Sequence, residues 1–361
     1  MLIAELVSNR RFCLADRPID PPGPGEIQVR VGAVGVCGSD VHSYSEGAIG
    51  DTPCLYPMVL GHEPAGTVVK TGAGVTGWAP GDRAALEPAV YCYHCEYCRA
   101  GRHNICANLR FLSNPGIPGF FRELVNLPAE NVLPIPAGLT LELAAMAEPL
   151  AVAMHSLQFA AISIGETVAV WGAGPIGLLT IASLKVAGAG RIWAIEPLAH
   201  RREFARHFGA TETFDPSQAD CVRELLAATG GRGVDCAIDC ATKPAAGSQA
   251  SAGPPELRVD PLEGTTNWAI RAARNGGRVV ITGIHSASYV PVDVSHMRRK
   301  ELAIFNVRRS NHETEAARDL LVEKASWFAP LITHRRPLSE IAEAFSLVEH
   351  YADGVGKMVV V

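Results

Sequence analysis

A chain of 361 residues is long enough to bury two separate cores, so two domains are expected. Hydrophobic residues make up 48% and charged residues 19%, the balance of an ordinary soluble globular protein. A net charge of −5 without a long basic run argues against a nucleic-acid partner, and the longest apolar stretch, residues 141–161, is broken by Glu142, Glu148, Pro149 and His155, which argues against a membrane span.

In chain order, residues 1–12 lack a sustained apolar core and a small-residue cleavage site, so no secretory leader is expected. Residues 26–34 alternate Ile27, Val29 and Val31 with Gln28 and Arg30, the period of a half-buried strand. Proline and glycine clusters at 21–25 and 78–82 predict short strands joined by turns. Glycine-rich turns also frame Cys37 and the pair His62 and Glu63. These three offer a thiolate, an imidazole and a carboxylate, and Glu148 offers a second carboxylate. Three protein ligands with one exchangeable position are what a catalytic zinc ion needs.

Between those segments, Cys92, Cys95, Cys98 and Cys106 are separated by two, two and seven residues. Such spacing lets one loop aim four thiolates at a common centre, which closes a tetrahedral zinc site and leaves no corner for substrate. One catalytic and one structural zinc per subunit are therefore expected. The five cysteines outside these sites (Cys13, Cys54, Cys221, Cys236, Cys240) show no disulfide framework, as expected for a reducing cytoplasm.

From residue 166 the pattern changes. Strands are predicted at 167–171, 191–196, 234–239 and 278–283, and helices at 175–187 and 199–208. This alternation implies a parallel sheet with helices on both faces. Gly172, Gly174 and Gly177, with Pro175 and Ile176 between them, follow the first strand and open the first helix. The first glycine permits the tight turn, the second admits a pyrophosphate, and the third allows close packing at a helix N-terminus that favours phosphate. Nineteen residues past Gly177, Glu196 ends the second strand, where a carboxylate accepts ribose hydroxyls and repels a 2′-phosphate. NAD is expected over NADP, with Arg201 and Arg202 as the nearby groups that accommodate a phosphate; Arg202 is expected on a solvated helix face. Residues 243–264, rich in Ala, Gly, Ser and Pro, read as a surface loop.

The motifs resemble those of the zinc-containing medium-chain alcohol and polyol dehydrogenase family, nearest its sorbitol and xylitol branch. The resemblance rests on CGSDVH from Cys37, GHEPAG from Gly61 followed by Gly72 and Val75, Glu87-Pro88, Glu148-Pro149-Leu150 and GAGPIGL from Gly172. It implies an α/β chain in which a Rossmann doubly wound coenzyme domain (residues 156–289) is inserted in a mostly-β GroES-like catalytic domain (1–155 and 290–361). It implies hydride transfer from a secondary alcohol, a polyol or sugar acid, to NAD. Ser39 becomes the first proton-relay group and His42 the outer one, and Asp40 orients His62. Glu148 reaches zinc directly or through water, Arg201 lies beside the adenosine ribose, and Arg308 binds distal hydroxyls.

The sequence departs from the family at Arg309, where an aromatic residue is usual, and at Ser43, where the sorbitol branch has tyrosine. Adjacent arginines also suit a carboxylate or phosphate, so a sugar acid competes with a neutral polyol as substrate. Phe120 and Phe121 are candidates for the pocket wall, although the core is the more common place for such aromatics. The family implies a homo-oligomer, dimer or tetramer. The alternatives are threonine or simple alcohol oxidation, and a non-catalytic NAD(H)-binding redox sensor. The joint presence of Cys37, Ser39, His42, His62 and Glu63 favours the enzyme.

Overall fold

Alternating apolar side chains make Glu26–Gly35 (β1) a central strand, with Ile27 and Val29 fully buried. In the computed structural model, which describes residues 1–241, 264–285 and 289–361, β1 leads into helix Gly38–Glu46 (α1). Strands Glu63–Thr71 (β2), Arg83–Leu86 (β3), Leu124–Pro128 (β4) and Val132–Pro134 (β5) follow. β1 pairs antiparallel with both β2 and β4, and β2, β3 and β5 continue the sheet in that order. The apolar helix Ala147–Ala160 (α2) then carries the chain toward its second unit.

That unit alternates strands and helices: Thr167–Trp171 (β6), Pro175–Val186 (α3), Arg191–Ile195 (β7), Ala199–His207 (α4), Glu212–Phe214 (β8), Cys221–Ala228 (α5) and Val234–Asp239 (β9). Thr265–Ala272 (α6), Ala273–Ile281 (β10), Val294–Lys300 (α7) and Ala303–Asn306 (β11) complete it. The strand order is β8-β7-β6-β9-β10-β11 with every pair parallel, so the direction of winding reverses between β6 and β9. Ligands of such sheets bind at the carboxyl ends of the strands beside that reversal. The chain finally returns to the first sheet through Ile332–Arg336 (β12) and Lys357–Val360 (β13), which pairs antiparallel with β1.

The two compact units are Met1–Val152 with Arg309–Val361, and Ala153–Arg308. The second therefore extends past the expected end at residue 289, because α7 and β11 add a sixth strand to the parallel sheet. β11 is a four-residue edge strand with no buried position, so it carries no alternation that would announce it. Trp171 and Trp193 are fully buried in the core of the second unit. In the first unit Phe120 and Phe121 are also fully buried, with Phe121 packed on Phe345 at 5.6 Å between ring centroids. They belong to the core rather than to a pocket wall. The predicted loop at 243–264 lies outside the described residues apart from Gly264. No helix among the described residues is long and apolar enough to cross a membrane.

One polar knot fastens the strand starts of the second unit. Asp235 accepts hydrogen bonds from Arg232 at 2.6 Å, Arg274 at 2.7 Å, and both the N–H and hydroxyl of Thr167 at 2.9 and 2.7 Å. Burial opposes its ionisation, but Arg232, Thr167 and Arg274 together hold its carboxyl below the ordinary value. A carboxylate with a depressed folded pKa stabilises the fold above its unfolded pKa and loses that contribution as pH falls through the folded one. Asp235→Asn is thus expected to lower the unfolding midpoint at neutral pH and to flatten the acid loss expected of the native protein below about pH 4. Thermal melts across that range measure it; parallel curves for both proteins would contradict it.

Candidate metal centres and coenzyme turn

Cys92, Cys95, Cys98 and Cys106 converge, with all four sulfurs within 4.8 Å of one another. The Cys92–Cys98, Cys95–Cys106 and Cys92–Cys106 separations are 4.0, 3.9 and 3.4 Å. A tetrahedral zinc ion with bonds near 2.3 Å places its sulfurs about 3.8 Å apart, so the four residues fit that ion. Backbone N–H groups of His94 and Cys95 lower the Cys92 thiol to about 5. Burial pushes Cys98 up to about 12, a proton that a bound dication displaces.

The lobe is clasped by the returning chain. Asn311 Oδ1 accepts from the N–H groups of His103 and Asn104 at 2.8 and 3.4 Å, and its Nδ2 donates to Gly101 O at 2.8 Å. His312 Nε2 meets His103 Nδ1 at 2.6 Å. These contacts join residues far apart in the chain, and no spacing in the sequence signals them.

The second group is Cys37, His62 and Glu63, whose ligand atoms also lie within 4.8 Å of one another. Cys37 caps α1 as the chain turns out of β1, while Glu63 begins β2 directly after His62. The pairing Gly35↔Glu63 is what brings the two segments side by side. Asp40, in the first turn of α1, is buried and accepts from the N–H groups of Cys37 and Gly61 at 3.3 and 3.2 Å and from Ser113 Oγ at 3.3 Å. Its Oδ1 faces His62 Nδ1 at 3.2 Å, which fixes the ring and leaves Nε2 as ligand atom. Burial disfavours the charged imidazole, but Asp40 and Cys37 raise His62 well above its ordinary value. Metal binding requires the neutral ring, so a dication displaces that proton.

Ser39 Oγ lies 3.5 Å from His62 Nε2. His42 Nδ1 meets Glu46 Oε1 at 2.8 Å on the partly exposed side of α1. Glu148, in the first turn of α2, is buried but is not part of the group of three. Burial first, and then the Glu63 and Glu87 carboxylates, push its carboxyl up to about 8, with His62 and Lys357 acting in the opposite sense. Lys357 went unnoticed in the sequence. Its ammonium pairs with Glu63 Oε2 and donates to Val36 O at 3.0 Å, and both side chains of the pair are 1% exposed.

In the second unit Gly172 follows β6 with φ +86°, a left-handed conformation that favours glycine. Gly174 caps α3, Pro175 occupies its first turn with Ile176 next, and a Cβ on Gly177 would stand 1.9 Å from Gly172 O. Glu196 reaches back from the end of β7: its Oε2 accepts from Ala173 N at 2.8 Å and its Oε1 from Leu198 N at 3.1 Å. Arg201 is buried beside the turn, 3.7 Å from where a Gly174 Cβ would lie. Arg202 is not on a solvated face: it donates to Glu196 O and Pro197 O and pairs with Asp215 at 3.0 Å.

The family model for the alcohol dehydrogenase GroES-like domain matches residues 23–137, and that for zinc-binding dehydrogenase matches 175–252. The chain is 34% identical over 311 residues to sorbitol dehydrogenase of Bacillus subtilis, covering 86% of this chain and 82% of that one. It is 34% identical over 334 residues to sorbitol dehydrogenase of Gallus gallus, covering 92% and 88%. The chain belongs to the zinc-containing medium-chain polyol dehydrogenase family. Among solved structures, a zinc-binding dehydrogenase of Sinorhizobium meliloti 1021 bound to NADP superposes with a TM-score of 0.85 at 32% identity, covering 100% of this chain and 98% of that one.

Within this family frame, the adjacent arginines part ways. Arg308 is exposed at the end of the second unit, whereas Arg309 opens the return into the first. The Arg309 guanidinium stacks over Phe111 at 4.0 Å from the ring centroid, and Phe111 lies 5.5 Å from the His62 ring. Burial pushes the Glu87 carboxyl above its ordinary value, and the Thr314 hydroxyl and then the charge of Arg309 act against that rise.

The close approach at Gly177 has a direct consequence. No side chain fits against the Gly172 carbonyl, because the obstacle is backbone. Gly177→Ala is expected to shift the glycine turn and weaken NADH binding roughly tenfold or more, read by fluorescence titration. An unchanged dissociation constant would show that the turn does not hold the coenzyme.

Proposed function

We propose that the protein oxidises a secondary alcohol of a polyol or sugar acid with NAD+, at a zinc ion held by Cys37, His62 and Glu63. The observation that carries this reading is the convergence of three ligand atoms within 4.8 Å, with the imidazole already oriented by Asp40. Held by these three donors, the ion would supply a Lewis acid to a substrate oxygen, and a bound nicotinamide would supply the hydride acceptor.

The chain's own residues do the rest. Ser39 Oγ would accept the substrate's hydroxyl proton as it gives up its own toward the nicotinamide ribose, and His42, reached through that ribose, would pass a proton outward while Glu46 holds its Nδ1. Glu148, outside the group of three ligand atoms, acts through water rather than as a fourth ligand. The second group, Cys92, Cys95, Cys98 and Cys106, holds a structural zinc. Gly172, Gly174, Pro175, Ile176 and Gly177 cradle the coenzyme pyrophosphate, with Arg201 beside them. Glu196 favours NAD by disfavouring a 2′-phosphate; the Sinorhizobium relative, bound to NADP, makes this a point to measure. In this reading Arg308 binds distal hydroxyls and Arg309 acts on the site through Phe111. The proposal includes a reducing, cytoplasmic setting, in keeping with ten free cysteines, and a homo-oligomer as the family resemblance implies.

Reduction of NAD and NADP against polyols, aldonic acids, threonine and short alcohols, before and after chelation, tests the whole. Turnover of a polyol or aldonic acid that chelation abolishes and zinc restores is the expected result. Preference for threonine or a short alcohol overturns the substrate class, and zinc-loaded protein inert toward the entire panel overturns the enzyme.

A further inference from the structure

A depression of about 690 Å³ opens at the N-terminal ends of β9 and β10, within the second unit. Its charged wall is formed by Arg232 ahead of β9, Arg271 and Arg274 at the junction of α6 and β10, and Lys300 at the end of α7. Val222 and Leu226 of α5 supply an apolar side. The glycine turn is elsewhere: Gly172 follows the carboxyl end of β6, whereas Thr167 at its amino end is the residue bonded to Asp235. A five-residue strand separates the two places by roughly 16 Å.

The charge balance of this depression runs against that of the molecule. The chain as a whole carries −5, yet among the described residues three arginines and a lysine here meet two carboxylates. Asp235 is shared between Arg232 and Arg274, and Asp293 between Arg271 at 3.6 Å and His296 at 2.7 Å. Leaving His296 aside, the four basic side chains outnumber the two carboxylates by two. The Lys300 ammonium is held in place by Arg271 O and Ala273 O at 2.6 and 2.8 Å. Arg298 and Arg299, exposed on α7, add to the local potential.

Arginine forks held by a shared carboxylate lose little freedom when they take up a phosphate, which they grip through paired N–H groups. The volume lies within the range of about 300–1,000 Å³ that small-molecule sites occupy. We propose that this depression binds a small polyphosphate, with phosphate groups against Arg232, Arg271, Arg274 and Lys300 and any organic portion against Val222 and Leu226. A nucleoside triphosphate and free inorganic polyphosphate share this chemistry. The apolar side distinguishes them, since only the nucleotide has a ring to place there.

The test is calorimetric titration of the zinc-loaded full-length protein, in excess NADH, with ATP and separately with inorganic tripolyphosphate. Saturable binding of one ligand per chain is expected. Tighter binding of ATP identifies the nucleotide as the natural class, and equal binding identifies free polyphosphate. The double variant Arg232→Gln/Arg271→Gln is expected to weaken binding roughly tenfold or more. It leaves Asp235 with Arg274 and Thr167, and Asp293 with His296. Leu226→Glu, which sets a carboxylate on the opposite wall without touching either ion pair, is expected to give a similar loss. Absence of saturable heat from both ligands, or full affinity in both variants, overturns the proposal.

Discussion

Cys37→Ser is expected to lower kcat/KM by roughly a thousandfold or more while the fold and about half of the zinc survive. A Lewis acid supplies several kcal/mol of stabilisation to developing charge on oxygen, and about 1.4 kcal/mol corresponds to each tenfold in rate. The variant removes the thiolate at the cap of α1 without disturbing the packing of β1, whose buried side chains lie upstream. The four-cysteine lobe has its own ligands and its own clasp from Asn311, so a zinc ion held there is expected to stay. Asp40→Asn is the graded companion. It keeps the shape of the group that orients His62 but loses the charge, so a decrease of about 10- to 100-fold is expected. Steady-state kinetics with elemental zinc analysis measure both. Zinc content that is the same in Cys37→Ser as in the native protein would show that Cys37 is not a ligand.

The parts of this site that are legible in the sequence are the ones set by short-range spacing. Four cysteines within fifteen residues can converge only if one loop folds on itself, and they do. The glycine turn is equally local, because Gly172, Gly174 and Gly177 each meet a constraint imposed by their neighbours. Cys37 and His62 are farther apart and became readable through their glycine-rich frames, but what joins them is the register of β1 on β2. Contacts made by the returning chain left no trace of this kind. Lys357 stands in an apolar terminal strand, where a lone lysine reads as a solvated end, yet the pairing of β13 with β1 carries it into the first unit's interior. Asn311, His312 and Arg309 likewise take their meaning from the lobe they fold against. Arg308 and Arg309, adjacent in the chain, fall on either side of the boundary between the two units.

Lys357→Met is expected to destabilise the metal-free protein severely and the zinc-loaded protein much less. The Lys357 ammonium is the cation paired with Glu63, and the two side chains are almost wholly removed from solvent. Taking away one partner of a buried pair strands the other charge, at a cost of about 3–5 kcal/mol. The stranded group here is a proposed metal ligand. A zinc ion bound by Glu63, Cys37 and His62 replaces the missing positive charge, so zinc should recover much of the loss. The same reasoning makes the catalytic metal harder to remove from the variant, because Glu63 no longer has a competing cation. Unfolding midpoints in chelator and in zinc, with the rate of zinc loss to a chelator, measure the two effects. The double variant Glu63→Gln/Lys357→Met removes both charges together and is expected to recover stability in chelator relative to Lys357→Met alone, without the added response to zinc. If Lys357→Met were destabilised equally with and without zinc, Glu63 would be a structural partner of Lys357 and not a ligand, and the open metal site would lose its third donor.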